Sequence, residues 1–173
     1  MTRMRQAYIS CALTHVPERV FTEYSDFIKS LEKFLLEKYA ASVKYALRDS
    51  DPQLANIITS EKASLCYIMD KQMVEDSDLV IAEVSFPSGG VGIELQIAQQ
   101  KSIPIILLYK DFGFNIAAKK TYILDTRAEY SLQIGNGIVS LMIQGLPNII
   151  REIKYTDYVE CISELDKYMH NWK

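Results

Sequence analysis

Leu79-Val80-Ile81-Ala82-Glu83-Val84, running on through Ser85-Phe86-Pro87-Ser88-Gly89-Gly90-Val91-Gly92 into Ile93-Glu94-Leu95, is the stretch on which the fold turns. The first six residues are almost all apolar, and Asp76-Ser77-Asp78 precedes them. A short apolar run bounded by turn formers on both sides reads as a strand buried on both faces of a sheet. The glycines then open a helix that runs from Val91 to about Lys101. A buried strand, a glycine-rich turn and a helix in succession form half of a parallel β–α–β crossover.

The same rhythm extends outward in both directions. Ala7 to Leu13 reads as another buried strand. Phe21, Tyr24, Ile28, Leu31 and Leu35 recur at three- and four-residue steps and give one apolar stripe on a helix from about Pro17 to Lys38. Val43 to Leu47 reads as a second strand, Arg48-Asp49-Ser50-Asp51-Pro52 as a loop, and Ser60 to Glu75 as a helix. Downstream, Ile103 to Tyr109 is a strand with Pro104 near its start, where the ladder tolerates it. Residues 111–139 read as a small extra hairpin or an irregular excursion. Ser140 to Gln144 is a short helix, Asn148 to Ile153 a last strand, and Thr156 to Met169 a terminal helix. Alternating strands and helices predict one three-layer α/β domain over residues 1–173, flavodoxin- or Rossmann-like, with a mostly parallel five-stranded sheet flanked by helices.

Composition narrows the function. With 173 residues, 49% hydrophobic and 24% charged, the chain has the make-up of a single globular domain. A net charge of −3 argues against a broad basic footprint, so no nucleic-acid polymer is expected as partner. Three well-separated cysteines without a CxxC pair read as reduced thiols, and with two histidines they offer no zinc site or Ser-His-Asp triad. The apolar run after Met1-Thr2-Arg3-Met4-Arg5 is too short for a signal segment or a membrane span, so a cytoplasmic protein is expected.

Ligands of open parallel α/β sheets bind beyond the carboxyl ends of the strands. The turn at Ser88-Gly89-Gly90-Val91-Gly92 falls there, and the first amides of the following helix suit an anion. Glu94, placed in the first helical turn, is either a carboxylate set against the helix dipole or a nucleophile kept ionised by it. Asp70, inside the apolar Cys66-Tyr67-Ile68-Met69 stretch, is either a solvated helix residue or a second functional acid.

Four segments in order resemble the nucleoside 2-deoxyribosyltransferase superfamily, most closely its 2′-deoxynucleoside 5′-phosphate N-hydrolase branch. They are Ala7-Tyr8-Ile9-Ser10, the run from Asp70 to Val84, Pro87 to Leu95, and Ser140-Leu141-Met142-Ile143-Gln144-Gly145. The resemblance implies that Glu94 is the nucleophile, attacking the anomeric carbon to form a glycosyl-enzyme intermediate. It implies that Tyr8 donates a hydrogen bond to that carboxylate. Asp70 would help the base depart, either as proton donor or through the sugar hydroxyls. Ser88, Gly89, Gly90 and Gly92 would hold a 5′-phosphate, joined by Ser140 of a neighbouring subunit in a homodimer. No metal or redox cofactor is implied.

Two departures bear on the substrate. The loop Ser85-Phe86-Pro87-Ser88-Gly89-Gly90 has no carboxylate to repel a phosphate, unlike the deoxyribosyltransferases proper. That favours a nucleotide over a nucleoside, and water over a second base as acceptor. After the first strand, however, Cys11-Ala12-Leu13-Thr14 and His15 stand where the branch has a glycine-serine pair and an arginine. Arg19, Arg48 and Arg127 are the candidate replacements. The alternatives are deoxyribose transfer between bases, TIR-like cleavage of a nicotinamide dinucleotide, and a nucleotide-binding sensor without turnover.

Overall fold

The computed structural model describes residues 3–171. Strand β1 (Met4–Cys11) leads into α1 (Glu18–Lys38) and β2 (Ala40–Lys44); α2 (Ala46–Asp49), α3 (Asp51–Leu54) and α4 (Thr59–Glu75) then precede β3 (Leu79–Glu83). Helix α5 (Gly89–Gln100) and β4 (Ile105–Lys110) follow, then a hairpin of β5 (Thr121–Ile123) and β6 (Glu129–Ser131). Helix α6 (Leu141–Gln144), β7 (Ile149–Tyr155) and α7 (Tyr158–Asn171) come last.

The sheet order is β2-β1-β3-β4-β7, with every neighbouring pair parallel. This is the doubly wound order whose direction reverses between β1 and β3, the place where such sheets open a crevice for ligands. The expected α/β architecture is the one observed. Successive strand residues point to opposite faces. Ile9, Ile81, Ile106 and Leu108 therefore pack under α1 and α7, against Tyr24, Phe27, Leu31, Leu165 and Met169. Tyr8, Val80, Ala82 and Leu107 pack on the other face, against Val74 of α4 and Val91, Leu95 and Ala98 of α5.

Several boundaries differ from the sequence reading, β1 among them, which runs Met4–Cys11 and not Ala7–Leu13. Strand β2 starts at Ala40, not Val43, because α1 ends at Lys38 and the next residues pair at once with β1, Ala40 opposite Met4. The carboxylate of Asp49 accepts the Tyr45 N–H at 3.1 Å, which turns the chain out of the strand and into α2. The expected loop at 48–52 is accordingly held in the two one-turn helices α2 and α3. Helix α5 begins at Gly89, two residues early, because the Ser88 hydroxyl accepts the Val91 N–H and caps it there. The 111–139 excursion does hold a hairpin, with Tyr122 and Tyr130 paired and their rings stacked at 5.7 Å.

Candidate functional site

Tyr8 and Ser10 stand two residues apart on β1, so both hydroxyls face the α4/α5 layer. From α5, Glu94 turns inward to meet them. The Tyr8 phenol donates to Glu94 Oε1 at 3.0 Å, and the Ser10 hydroxyl donates to Oε2 at 2.5 Å. One buried carboxylate, 8% exposed, thus has each oxygen fixed by a donor from the strand at the middle of the crevice. Each oxygen accepts only one hydrogen bond and keeps a second lone-pair direction.

Burial pushes the Glu94 carboxyl up to about 7, and the negative charge of Asp70 pushes the same way; the hydrogen bonds from Ser10 and Tyr8 pull it down. Burial and the Glu94 charge keep the Tyr8 phenol well above its ordinary value, so it remains a donor. The expectation that the helix dipole holds Glu94 ionised needs correction. With α5 starting at Gly89, Glu94 lies in the second helical turn, and the dipole falls off within the first. The two strand hydroxyls are the groups that favour its charged form.

Asp70 projects from α4, which packs beside α5, close enough for its charge to act on Glu94, Tyr8 and Cys66. Its Oδ2 accepts from the Cys66 thiol at 3.4 Å, and its Oδ1 is buried without a hydrogen-bond partner among the described residues. Burial and Asp70 together push the Cys66 thiol up to about 11, so Cys66 is a proton-bearing donor at neutral pH and no competing nucleophile. The two acids, distant in sequence, therefore lie near enough for the charge of one to act on the other, and one oxygen of the second has no partner among the described residues.

Next to this cluster a groove of about 990 Å³ opens beyond the strand ends. Ser88, Gly89 and Gly92 line it, as does Val91, one turn before Glu94 on α5, and Ser140 stands on its other side. Among the described residues, His15 is the one titratable side chain in its lining, and none of those lining residues is a carboxylate. A Cβ at Gly89 or Gly92 would meet nothing within 4 Å, so the glycines leave space in front of the helix start. Neither has a positive φ, so their role is close approach and not backbone contortion. Gly90, expected beside them, is exposed and lies outside the groove lining, because the helix rotates it away from Gly89 and Gly92. Ser88 caps α5 and Ser140 caps α6, where its hydroxyl accepts the Met142 N–H at 3.2 Å.

The structure also separates the three arginines. Arg48 is committed to Glu32 and Asp49 on the far side of β2. Arg127 occupies the hairpin turn with φ of 60°. Arg19 stacks 3.9 Å over the ring of Phe114, which lines the groove. Sequence reasoning missed Ser10. Its signal was present: a hydroxyl residue at i+2 from Tyr8 on a strand must share its face.

No family model matches the chain. A protein of Syntrophotalea carbinolica named "Putative 2'-deoxynucleoside 5'-phosphate N-hydrolase 1" is 46% identical over 43 residues, 25% of this chain and 30% of that protein. Proteins of the same name match from Methanosarcina mazei, 37% identical over 60 residues (35% of this chain, 37% of the relative), and Methanococcoides burtonii, 32% over 77 residues (44% and 62%). The chain thus spans between about a third and just under two thirds of the relatives it matches. Among solved structures, the CMP N-glycosidase of Clostridium botulinum superposes with a TM-score of 0.57 at 19% identity, over 95% of this chain and 100% of that one. A 2-deoxyribosyltransferase from Bacillus psychrosaccharolyticus gives 0.54 at 12% identity, over 91% and 90%. These structural likenesses are of fold. With the sequence matches they support the resemblance carried by the motifs, to the nucleoside 2-deoxyribosyltransferase superfamily and its 2′-deoxynucleoside 5′-phosphate N-hydrolase branch.

Proposed function

We propose that this chain is an enzyme that hydrolyses the N-glycosidic bond of (2′-deoxy)nucleoside 5′-monophosphates, releasing free base and sugar phosphate. The observation that carries this reading is the carboxylate of Glu94, clamped by Tyr8 and Ser10, with Asp70 near enough for its charge to act on it and one Asp70 oxygen without a partner among the described residues. Ionised Glu94 attacks the anomeric carbon, the C–N bond breaks, and its electron pair leaves with the base. Asp70 assists departure, as proton donor to the base or as partner to the sugar hydroxyls. Water then attacks the same carbon and frees Glu94, so configuration is retained overall. Tyr8 and Ser10 act by orientation: they hold the attacking oxygen on line before substrate arrives.

The groove supplies the other half of the reading. Ser88 and the amides of Gly89 and Gly90 at the start of α5 would hold the 5′-phosphate, with Gly92 leaving room. A groove with no carboxylate among its described lining residues is electrostatically suited to that group. A soluble cytoplasmic homodimer completes the proposal, with Ser140 reaching the neighbouring subunit's phosphate. In support, Ser140 is exposed, and beside it Met142 is 84% and Leu141 48% exposed, surface of the kind a second protomer covers.

The test is incubation with a panel of nucleoside 5′-monophosphates and nucleosides, followed by chromatography for free base. Base released from deoxynucleotides, with little from nucleosides, is the expected result. A new nucleoside formed on adding a second base would instead identify a transferase. No release from any nucleotide would overturn the proposal.

A further inference from the structure

A second buried glutamate lies on the opposite face of the sheet. Glu83 ends β3, is fully buried, and faces α1 and α7. The Tyr155 phenol donates to its Oε1 at 3.0 Å and the Ser85 hydroxyl donates to the same oxygen, while the Tyr24 phenol adjoins the carboxylate without closing a hydrogen bond of its own. An acid taken wholly out of water is costly unless it is repaid in hydrogen bonds. What it holds explains its presence.

Ser85 is the link. While donating to Glu83, its Oγ accepts the Lys110 N–H at 2.8 Å, tying the loop after β3 to the end of β4. From the far side, the Asn115 amide donates to the Ser85 and Lys110 carbonyls, both at 2.9 Å, and its Oδ1 accepts the Phe112 N–H at 2.8 Å. The chain Glu83–Ser85–Lys110–Asn115 thereby joins two adjoining wall segments of the groove, one contributing Val84, Phe86, Pro87 and Ser88 and the other Phe114 to Ala117. None of the relay depends on Glu94, Asp70 or Tyr8.

We infer that Glu83 is a positioning residue: a buried clamp that sets the spacing between these two walls and so fits the groove to its phosphate-bearing ligand. The ligand part of this inference rests on the proposed function; the clamp itself does not. The clamp orients Ser85 by fixing which way its hydroxyl donates. That frees the oxygen's lone pair for the Lys110 amide.

The experiment measures two things in wild type, Glu83→Gln and Asn115→Ala: amide hydrogen exchange in the free protein, and KM and kcat for a deoxynucleoside 5′-monophosphate. Asn115→Ala cuts the relay at its exposed end and stands in should Glu83→Gln fail to fold. Expected for each variant is faster exchange at Lys110, Phe112 and Ser88–Gly92, with KM raised about tenfold and kcat per folded molecule within about twofold. The double variant should be no worse than the more impaired single one, since both break one relay. Unchanged exchange at Lys110 and Phe112 would overturn the clamp. Faster exchange with unchanged KM, or a loss confined to kcat and thermal stability, would overturn its role in fitting the groove. Should wild type release no base, the proposed function falls while the exchange result still decides the clamp, and calorimetric titration with the same nucleotide then replaces KM.

Discussion

Glu94 and Glu83 are both buried, both held by a serine and a tyrosine hydroxyl, and separated only by the thickness of the sheet. Their surroundings part them. Burial raises both acids. Yet Glu94 keeps 8% of its surface exposed and has the charge of a second acid acting on it, whereas the Oε2 of Glu83 is buried without a partner among the described residues. Glu83 is sealed among Tyr24, Tyr155 and Cys161, and its donors tie it to main chain. The carboxylate proposed to react and the one inferred to be structural thus differ in access and in the company of another acid, not in donor count.

The sharpest way to break that contrast is to remove each acid in turn. Glu94→Ala should lower base release from deoxynucleotides by about 10³-fold or more, the scale on which loss of a nucleophile registers. Glu83→Gln should retain kcat; equal losses from the two would erase the distinction. Asp70→Asn, which keeps the shape but cannot give up a proton, should cost roughly 10²-fold in kcat, the lower range for general acid–base catalysis. An undiminished rate would confine Asp70 to sugar contacts.

A finer probe uses the strand donors. With the Glu94 carboxyl at about 7, kcat/KM should rise with pH through neutrality as the carboxylate ionises. Tyr8→Phe and Ser10→Ala each remove a hydrogen bond to the charged form, so the rising limb should move to higher pH, with a loss of about tenfold at pH 7. A limb that stays put would show that the donors do not tune the acid.

The smallest effect is on stability. The folded chain binds a proton at Glu94 more tightly than the unfolded chain, where the carboxyl titrates near 4.5. The stability so gained is fully present below about 4.5 and is lost as pH rises through about 7, leaving a burial cost of ~3 kcal/mol above it. Glu94→Gln should therefore melt several degrees above wild type at pH 8 and close to it at pH 4, as calorimetry would show. Equal melting differences at both values would mean that Glu94 is not the buried acid described.

Much of this was legible before any coordinates. The apolar runs of β1, β3 and β4 need burial on both faces, which only a covered parallel sheet supplies, so the layers follow from sequence alone. Tyr8, Asp70 and Glu94 were picked out by their motifs. Ser10 was readable from strand alternation but overlooked. The helical position of Glu94 was misread because glycines suggest a loop, whereas the Ser88 cap draws Gly89 and Gly90 into the helix. The strand limits of β2 depend on pairing with β1, a long-range fact that a local pattern does not contain. The role inferred for Glu83 is illegible for the same reason: its donors come from the β3–α5 loop and β7.

Strand β1 is laddered to β2 on one side and β3 on the other. Tyr8 and Ser10 therefore borrow the stiffness of the sheet's middle, while the groove is walled largely by connecting segments. Under the proposed function, attack geometry and ligand choice would reside in mechanically separate parts of the molecule, so the loops could be rebuilt for a different nucleotide without re-aiming the acid.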